Sequence, residues 1–157
     1  PGRTGYNVTP AAMKELAAHD RIVGTKDATA DICQIVEMAR LCPGLEIYSG
    51  NDDHVVPILS VGGLGVISVV SNVAPRMTHD MVMAYLSGDV VKARELQFKL
   101  NPLVKALFSE VNPTPVKKAL NMIGIPVGIP RLPLTEMSPD KAALLKKELI
   151  ALGFDIA

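Results

Sequence analysis

Ile22-Val23-Gly24-Thr25-Lys26-Asp27 is a short apolar run closed by a lysine, and its reading decides the fold. The run has the composition of a buried β-strand, and Lys26 stands where the strand gives way to polar sequence. A lysine is costly to bury, so one that closes an apolar strand is an exposed residue, half of an ion pair, or an activated amine. Enclosure disfavours the ammonium form and frees the amine to attack a carbonyl, which is Schiff-base chemistry. Alternation along the strand puts Ile22, Gly24 and Lys26 on one face and Val23 and Thr25 on the other. Gly24 either leaves room beside the lysine stem for a small substrate or serves close packing.

Outward from this strand the same unit repeats. Thr9-Pro10 supplies a hydroxyl N-cap and a first-turn proline for a helix whose apolar stripe is Met13, Leu16 and Ala17. After the strand, a helix over 29–42 carries Ile32, Ile35, Val36 and Ala39 on one face and is stopped by Pro43-Gly44. A strand at 45–49, a helix over about 53–61 with Pro57 early in it, and an apolar strand at 65–70 follow. Strands recur every 20 to 24 residues with short connections, and their continuous apolar character predicts a parallel sheet buried on both faces. Gly62-Gly63-Leu64-Gly65 precedes a strand rather than a helix, which excludes a dinucleotide fingerprint. The remainder reads as helical: 78–87, 90–108, 116–123, a loop over 124–134 with three prolines, and a last helix from Ser138-Pro139 to about 152. Three parallel strands do not close a barrel, and an open sheet leaves edges, so the pattern calls for a partner segment. Pro1-Gly2-Arg3-Thr4-Gly5 reads as the middle of a loop, as in the C-terminal piece of something longer.

The 157 residues are 48% hydrophobic, enough for a sizeable core, and carry no formal net charge. That balance argues against a nucleic-acid or anionic-membrane surface, and no apolar run is long enough for a membrane span. There is no signal-peptide pattern. Cys33 and Cys42 form neither a CxxC pair nor a His/Cys metal spacing, and Cys33 falls in an apolar helical pattern that predicts a buried free thiol; unpaired cysteines suit a reducing cytoplasm. His19, His54 and His79 do not cluster, and no metal site is assigned.

In parallel α/β folds reactive groups gather at the C-terminal strand ends. Those ends hold Lys26-Asp27, Ser49-Gly50-Asn51-Asp52 and Ser71-Asn72. Asn51, Asp52 and Asp53 read as helix capping and dipole complementation. Gly50 lets its carbonyl approach a ligand. Arg3, in a glycine-flanked loop, is either a solvated arginine or a bidentate carboxylate donor.

Together, Pro1-Gly2-Arg3-Thr4-Gly5 and Ile22-Val23-Gly24-Thr25-Lys26-Asp27-Ala28 resemble the second signature of the dihydrodipicolinate synthase / N-acetylneuraminate lyase family of class I pyruvate aldolases. Ser49-Gly50-Asn51-Asp52, Gly62-Gly63-Leu64-Gly65-Val66-Ile67-Ser68-Val69, Ser71-Asn72-Val73-Ala74-Pro75, Asn112-Pro113-Thr114-Pro115-Val116-Lys117 and Arg131-Leu132-Pro133-Leu134 extend the likeness over essentially the whole chain. The resemblance implies an α/β chain that is the C-terminal portion of a (β/α)8 TIM barrel, its last three strands in 1–76, followed by the final barrel helix and a C-terminal helical domain in 77–157. It implies a homotetramer and a missing N-terminal half. It makes Lys26 the residue that forms a covalent imine with pyruvate, with no cofactor. The derived enamine attacks L-aspartate 4-semialdehyde, and the product, 4-hydroxy-tetrahydrodipicolinate, lies on the route to lysine and diaminopimelate.

By the same resemblance, Arg3 holds the semialdehyde carboxylate, Gly50 presents its carbonyl to substrate, and Ile67 shapes the pyruvate pocket through its backbone. Thr25 stands where the family carries an aliphatic residue and is expected to face the helix layer. The family's proton-relaying tyrosine and its carboxylate-binding threonine pair precede the segment matching Pro1. Two alternatives stand beside this reading. One is a sibling aldolase acting on sialic acid or a keto-deoxy sugar acid, against which Arg3 argues. The other is a catalytically incomplete fragment or structural half.

Overall fold

A computed structural model describes residues 2–157; Pro1, the start of the expected 1–5 loop, lies outside the described residues. Three strands, β1 (Gly24–Asp27), β2 (Glu46–Ser49) and β3 (Gly65–Val66), form one parallel sheet in the order β1-β2-β3. The helices α1 (Pro10–Leu16), α2 (Ile32–Leu41) and α3 (Val55–Ser60) alternate with them. Two single 3-10 turns, Asp52–His54 and Val70–Asn72, follow β2 and β3. The chain then continues in α4 (Pro75–Leu86), α5 (Val90–Leu107), α6 (Thr114–Met122) and α7 (Pro139–Ala151).

Local chemistry explains most boundaries. The Thr9 hydroxyl accepts from the Ala12 N–H at 3.2 Å and Pro10 opens α1, as expected. The Asp31 carboxylate caps α2 by accepting from Gln34 N–H at 3.1 Å, so that helix starts three residues later than the pattern suggested. Pro57 lies in the first turn of α3, where its missing N–H has no intrahelical partner to lose. Pro75 starts α4 three residues ahead of the expected position. β3 is only two residues long. Beyond Val66 the backbone leaves the sheet toward the Val70–Asn72 turn, so the predicted strand at 65–70 is mostly loop.

Several expectations are corrected. The sheet is not buried evenly on its two faces. Ile47 is buried against Ile35 and Ile58 of the flanking helices. Its neighbours Glu46 and Tyr48, on the other face, are exposed and half-buried. Cys33 is exposed and Cys42 is the buried thiol, packed with Met13 and Met38. The buried face of α2 runs through Ile35 and Met38, leaving Val36 and Ile32 at the surface, and Leu16 is likewise exposed on α1. Ser138 precedes α7 but does not cap it. Its hydroxyl and N–H both donate to Glu110 Oε1, at 2.7 and 3.1 Å.

The main core lies among α3 to α7, around Met81, Leu100, Leu103, Leu107, Leu145 and Leu149, all essentially inaccessible. Burying each such side chain contributes about 1.5–3 kcal/mol. The C-terminal segment closes this core through Phe154 and Ile156, and the Ala157 N–H donates to the Met122 carbonyl at 2.7 Å. No helix among the described residues is long and apolar enough to cross a membrane.

Candidate active site

Parallel pairing brings the three strand ends to one edge of the sheet. The register sets Lys26 opposite Tyr48 and Tyr48 opposite Gly65, so these three form a row across the sheet. Lys26 is exposed, not enclosed. Thr25 lines a second cavity with Met13 of α1 and Met38 of α2, and Lys26 borders that space too.

Lys26 lines an open cavity of about 440 Å³. Ile67, Ser68 and Asn72 from the loop after β3, and Asn112 and Val127 from the helical region, complete its wall. Ile67 is half exposed, with its N–H donating to the Ser49 carbonyl at 2.9 Å. Arg3 reaches this wall from a distant part of the chain, its Nη2 donating to the Asn112 carbonyl at 2.7 Å. Arg3 does not itself line the cavity, and neither does Gly50. It lies alongside, its N–H donating to the Asp27 carbonyl. A Cβ at Gly50 would lie 2.7 Å from Ala28 Cβ and 2.9 Å from the Asp27 carbonyl oxygen, so close approach of backbone to backbone already requires glycine there. Gly24 has the same character. Its Cβ would meet the Glu46 carbonyl oxygen at 2.9 Å, which favours packing over substrate space as the reason for that glycine.

Some residues of the site were given no role from sequence. Tyr48 neighbours Lys26 and donates to Glu46 Oε2 at 3.0 Å. That hydrogen bond, then the Glu46 charge, then burial push its phenol above the ordinary value and keep it protonated. Asn112 carries a buried Oδ1 with no hydrogen-bond partner among the described residues, and only the tertiary fold brings it to Lys26. Val127 is held at the cavity by α6: its N–H donates to Asn121 Oδ1 at 3.0 Å, and Lys117 Nζ donates to the Ile129 carbonyl at 2.8 Å. The acidic run after Gly50 departs from the expected capping role. Asp52 is 2% exposed and accepts from the Val69 and Val70 N–H groups, on the loop after β3. No three His, Cys, Asp or Glu side chains among the described residues gather as a metal-binding group.

A primary amine on a cavity of this size, beside a protonated phenol and a guanidinium at the wall, can condense with the carbonyl of a small carboxylate-bearing molecule.

Residues 1–152 match the model of the dihydrodipicolinate synthetase family. The chain is 56% identical over 156 residues to a 4-hydroxy-tetrahydrodipicolinate synthase of Caldicellulosiruptor bescii, covering 99% of this chain and 53% of that protein. The dihydrodipicolinate synthase structure from Thermotoga maritima superposes with a TM-score of 0.94 at 45% identity, over 98% of this chain and 54% of that one. The Aquifex aeolicus dihydrodipicolinate synthase gives 0.95 at 37% identity, over 99% and 54%. The chain thus spans about half the length of the curated relatives it matches. On the family match across nearly all of its residues, this chain belongs to the dihydrodipicolinate synthetase family.

Proposed function

We propose that this chain carries the imine-forming half of a 4-hydroxy-tetrahydrodipicolinate synthase. The observation that carries the reading is the shared cavity: Lys26 and Ile67 line it, and the Arg3 guanidinium binds its Asn112 wall. The Lys26 amine attacks the ketone carbon of pyruvate, and water leaves as the imine forms. The protonated imine draws electrons from the methyl carbon, which loses a proton and becomes an enamine. The enamine carbon bonds to the aldehyde carbon of L-aspartate 4-semialdehyde, whose carboxylate Arg3 holds in a bidentate pair. The semialdehyde's own amine then attacks the imine carbon, closing the ring and releasing Lys26. The imine is the electron sink, so no cofactor or metal is required. Gly50 contributes its carbonyl and Ile67 its backbone to the substrate pocket.

In this reading residues 1–76 are the last part of a (β/α)8 barrel, and residues 77–157 are its final helix and a helical domain. An N-terminal half encloses Lys26 and supplies the remaining catalytic groups. The working protein is a homotetramer in the cytoplasm, serving lysine and diaminopimelate synthesis. The exposure of Lys26 and the 53% coverage of a relative support a completing N-terminal half.

Borohydride reduction in the presence of pyruvate tests the assignment. The chain, joined to an N-terminal half like that of its relatives, should gain one reduced pyruvate adduct, on Lys26, and Lys26→Arg should gain none. An adduct elsewhere, or none at all, refutes the imine assignment. Turnover of the semialdehyde but not of sugar-derived aldehydes separates this activity from that of sibling aldolases.

A further inference from the structure

The Asp52 carboxylate is the most buried charge in the molecule that the reaction above does not use. It belongs to the loop after β2, two residues beyond Gly50, yet its hydrogen bonds leave that loop. Oδ2 accepts from Val69 N–H at 2.9 Å and from Val70 N–H at 3.0 Å, while Oδ1 has no partner among the described residues. Val69, with Ile67 and Ser68, lines the Lys26 cavity. The same residue is held from behind. Gln97 of α5, 4% exposed, donates from Nε2 to the Asp52 carbonyl at 2.9 Å and to Asn101 Oδ1 at 2.9 Å, and its Oε1 accepts from Val56 N–H at 3.1 Å. One buried pair therefore fastens three segments: the Gly50 loop, the Ile67–Val70 loop and a long helix outside the sheet. A solitary surface carboxylate would do no such thing. A buried one whose partners are all backbone groups on another strand's loop fixes where that backbone lies.

We propose that Asp52, held by Gln97, is a positioning residue for the reaction at Lys26: it sets the spacing between the Gly50 carbonyl and the Ile67 backbone that bracket the imine. The proposal rests on the imine reading above and assigns Asp52 no contact with substrate. Its consequence is geometric. β3 pairs for only two residues, so beyond Val66 the position of Ile67 depends on the Ser49 carbonyl and on the Asp52 carboxylate. Removing the carboxylate frees the Val69 and Val70 N–H groups and lets the cavity wall drift, and misplacement by about 1 Å lowers turnover by up to ~100-fold.

The test uses the full-length protein with Asp52→Ala, Asp52→Asn and Gln97→Met. Each is assayed below its own melting midpoint for kcat, for KM of both substrates, and for the rate of borohydride-trapped pyruvate adduct. Asp52→Ala is expected to lower kcat and the trapping rate by ~10–100-fold. Asp52→Asn, which keeps one oxygen for the two N–H groups, recovers most of that loss, and Gln97→Met falls between. A purely structural role would move the melting midpoint and leave the kinetics of the folded protein at wild-type values. Wild-type kinetics in Gln97→Met overturns the proposal even if Asp52→Ala fails to fold. If the wild type traps no pyruvate on Lys26, the imine reading fails and the positioning role with it. If the wild type traps normally and the variants match it, only the positioning role fails.

Discussion

Alanine at position 50 would place a methyl carbon 2.7 Å from Ala28 Cβ, 2.9 Å from the Asp27 carbonyl oxygen and 3.1 Å from the Asp27 carbonyl carbon. Ordinary contact begins near 3.4 Å, so the loop has to retreat by about 0.7 Å from Ala28 and about 0.5 Å from the Asp27 oxygen. Two of the three obstacles are backbone and cannot rotate away. They are also tied to the moving residue, because the Gly50 N–H donates to the same Asp27 carbonyl. Overpacking against fixed neighbours destabilises by about 1–3 kcal/mol. For a chain of this length each kcal/mol lowers the melting midpoint by ~2–4 °C. Gly50→Ala should therefore lower it by several degrees in circular-dichroism melts. Adding Ala28→Gly removes the 2.7 Å contact and leaves the 2.9 Å one, so recovery should be partial. A Gly50→Ala variant that melts with the wild type, or full recovery on adding Ala28→Gly, refutes the argument that backbone crowding dictates this glycine.

Leu145→Ala opens a cavity in the centre of the helical core, where Leu145 is 0% exposed, and should destabilise by about 2–5 kcal/mol in urea denaturation; a loss below 1 kcal/mol would show that the core collapses around the gap. The Glu110 carboxyl is held below its ordinary value, first by the Ser138 hydroxyl and then by the Ser138 N–H, with Lys141 adding to both against the opposing effect of burial. A depressed folded value means that its stabilisation is present above the ordinary carboxylate range and is lost as pH falls through the folded value. Thermal melts of the wild type and Glu110→Gln should accordingly differ near neutrality and converge in acid, and a difference that persists unchanged at low pH excludes Glu110 as the titrating anchor of α7.

The alternation of helix and strand was legible because local signals and tertiary structure agree. Thr9-Pro10 and Pro43-Gly44 mark ends set locally by hydrogen bonding and ring geometry, and Pro139 opens α7 although Ser138 bonds the distant Glu110. Lys26 stood out for a similar reason: a charge at the end of an apolar strand conflicts with its surroundings, and such conflict is visible in one dimension. The misread residues depend on what lies opposite. Gly65-Val66-Ile67-Ser68-Val69-Val70 is apolar almost throughout, yet pairing ends at Val66, opposite the last residue of β2, and Asp52, far back in sequence, takes the Val69 and Val70 N–H groups. Cys33 and Val36 fit a helical stripe equally well by periodicity. Which side of α2 is buried follows from where β2 and α3 place Ile47 and Ile58. Asn112, Tyr48 and Gln97 gave no local signal, because their roles exist only once separate segments meet.

The contrast between Cys33, open to solvent, and Cys42, shut in beside Met13 and Met38, gives the chain a built-in chemical gauge. A thiol reagent meets one sulfur on the native chain and two on the unfolded one. Once the first site has been consumed, the slow second modification counts the openings that expose the Met13–Met38 cluster. That cluster joins α1 to α2, the two helices that flank the lysine-bearing strand. The rate of alkylation at Cys42 therefore follows the integrity of the scaffold under Lys26 without touching the chemistry above it.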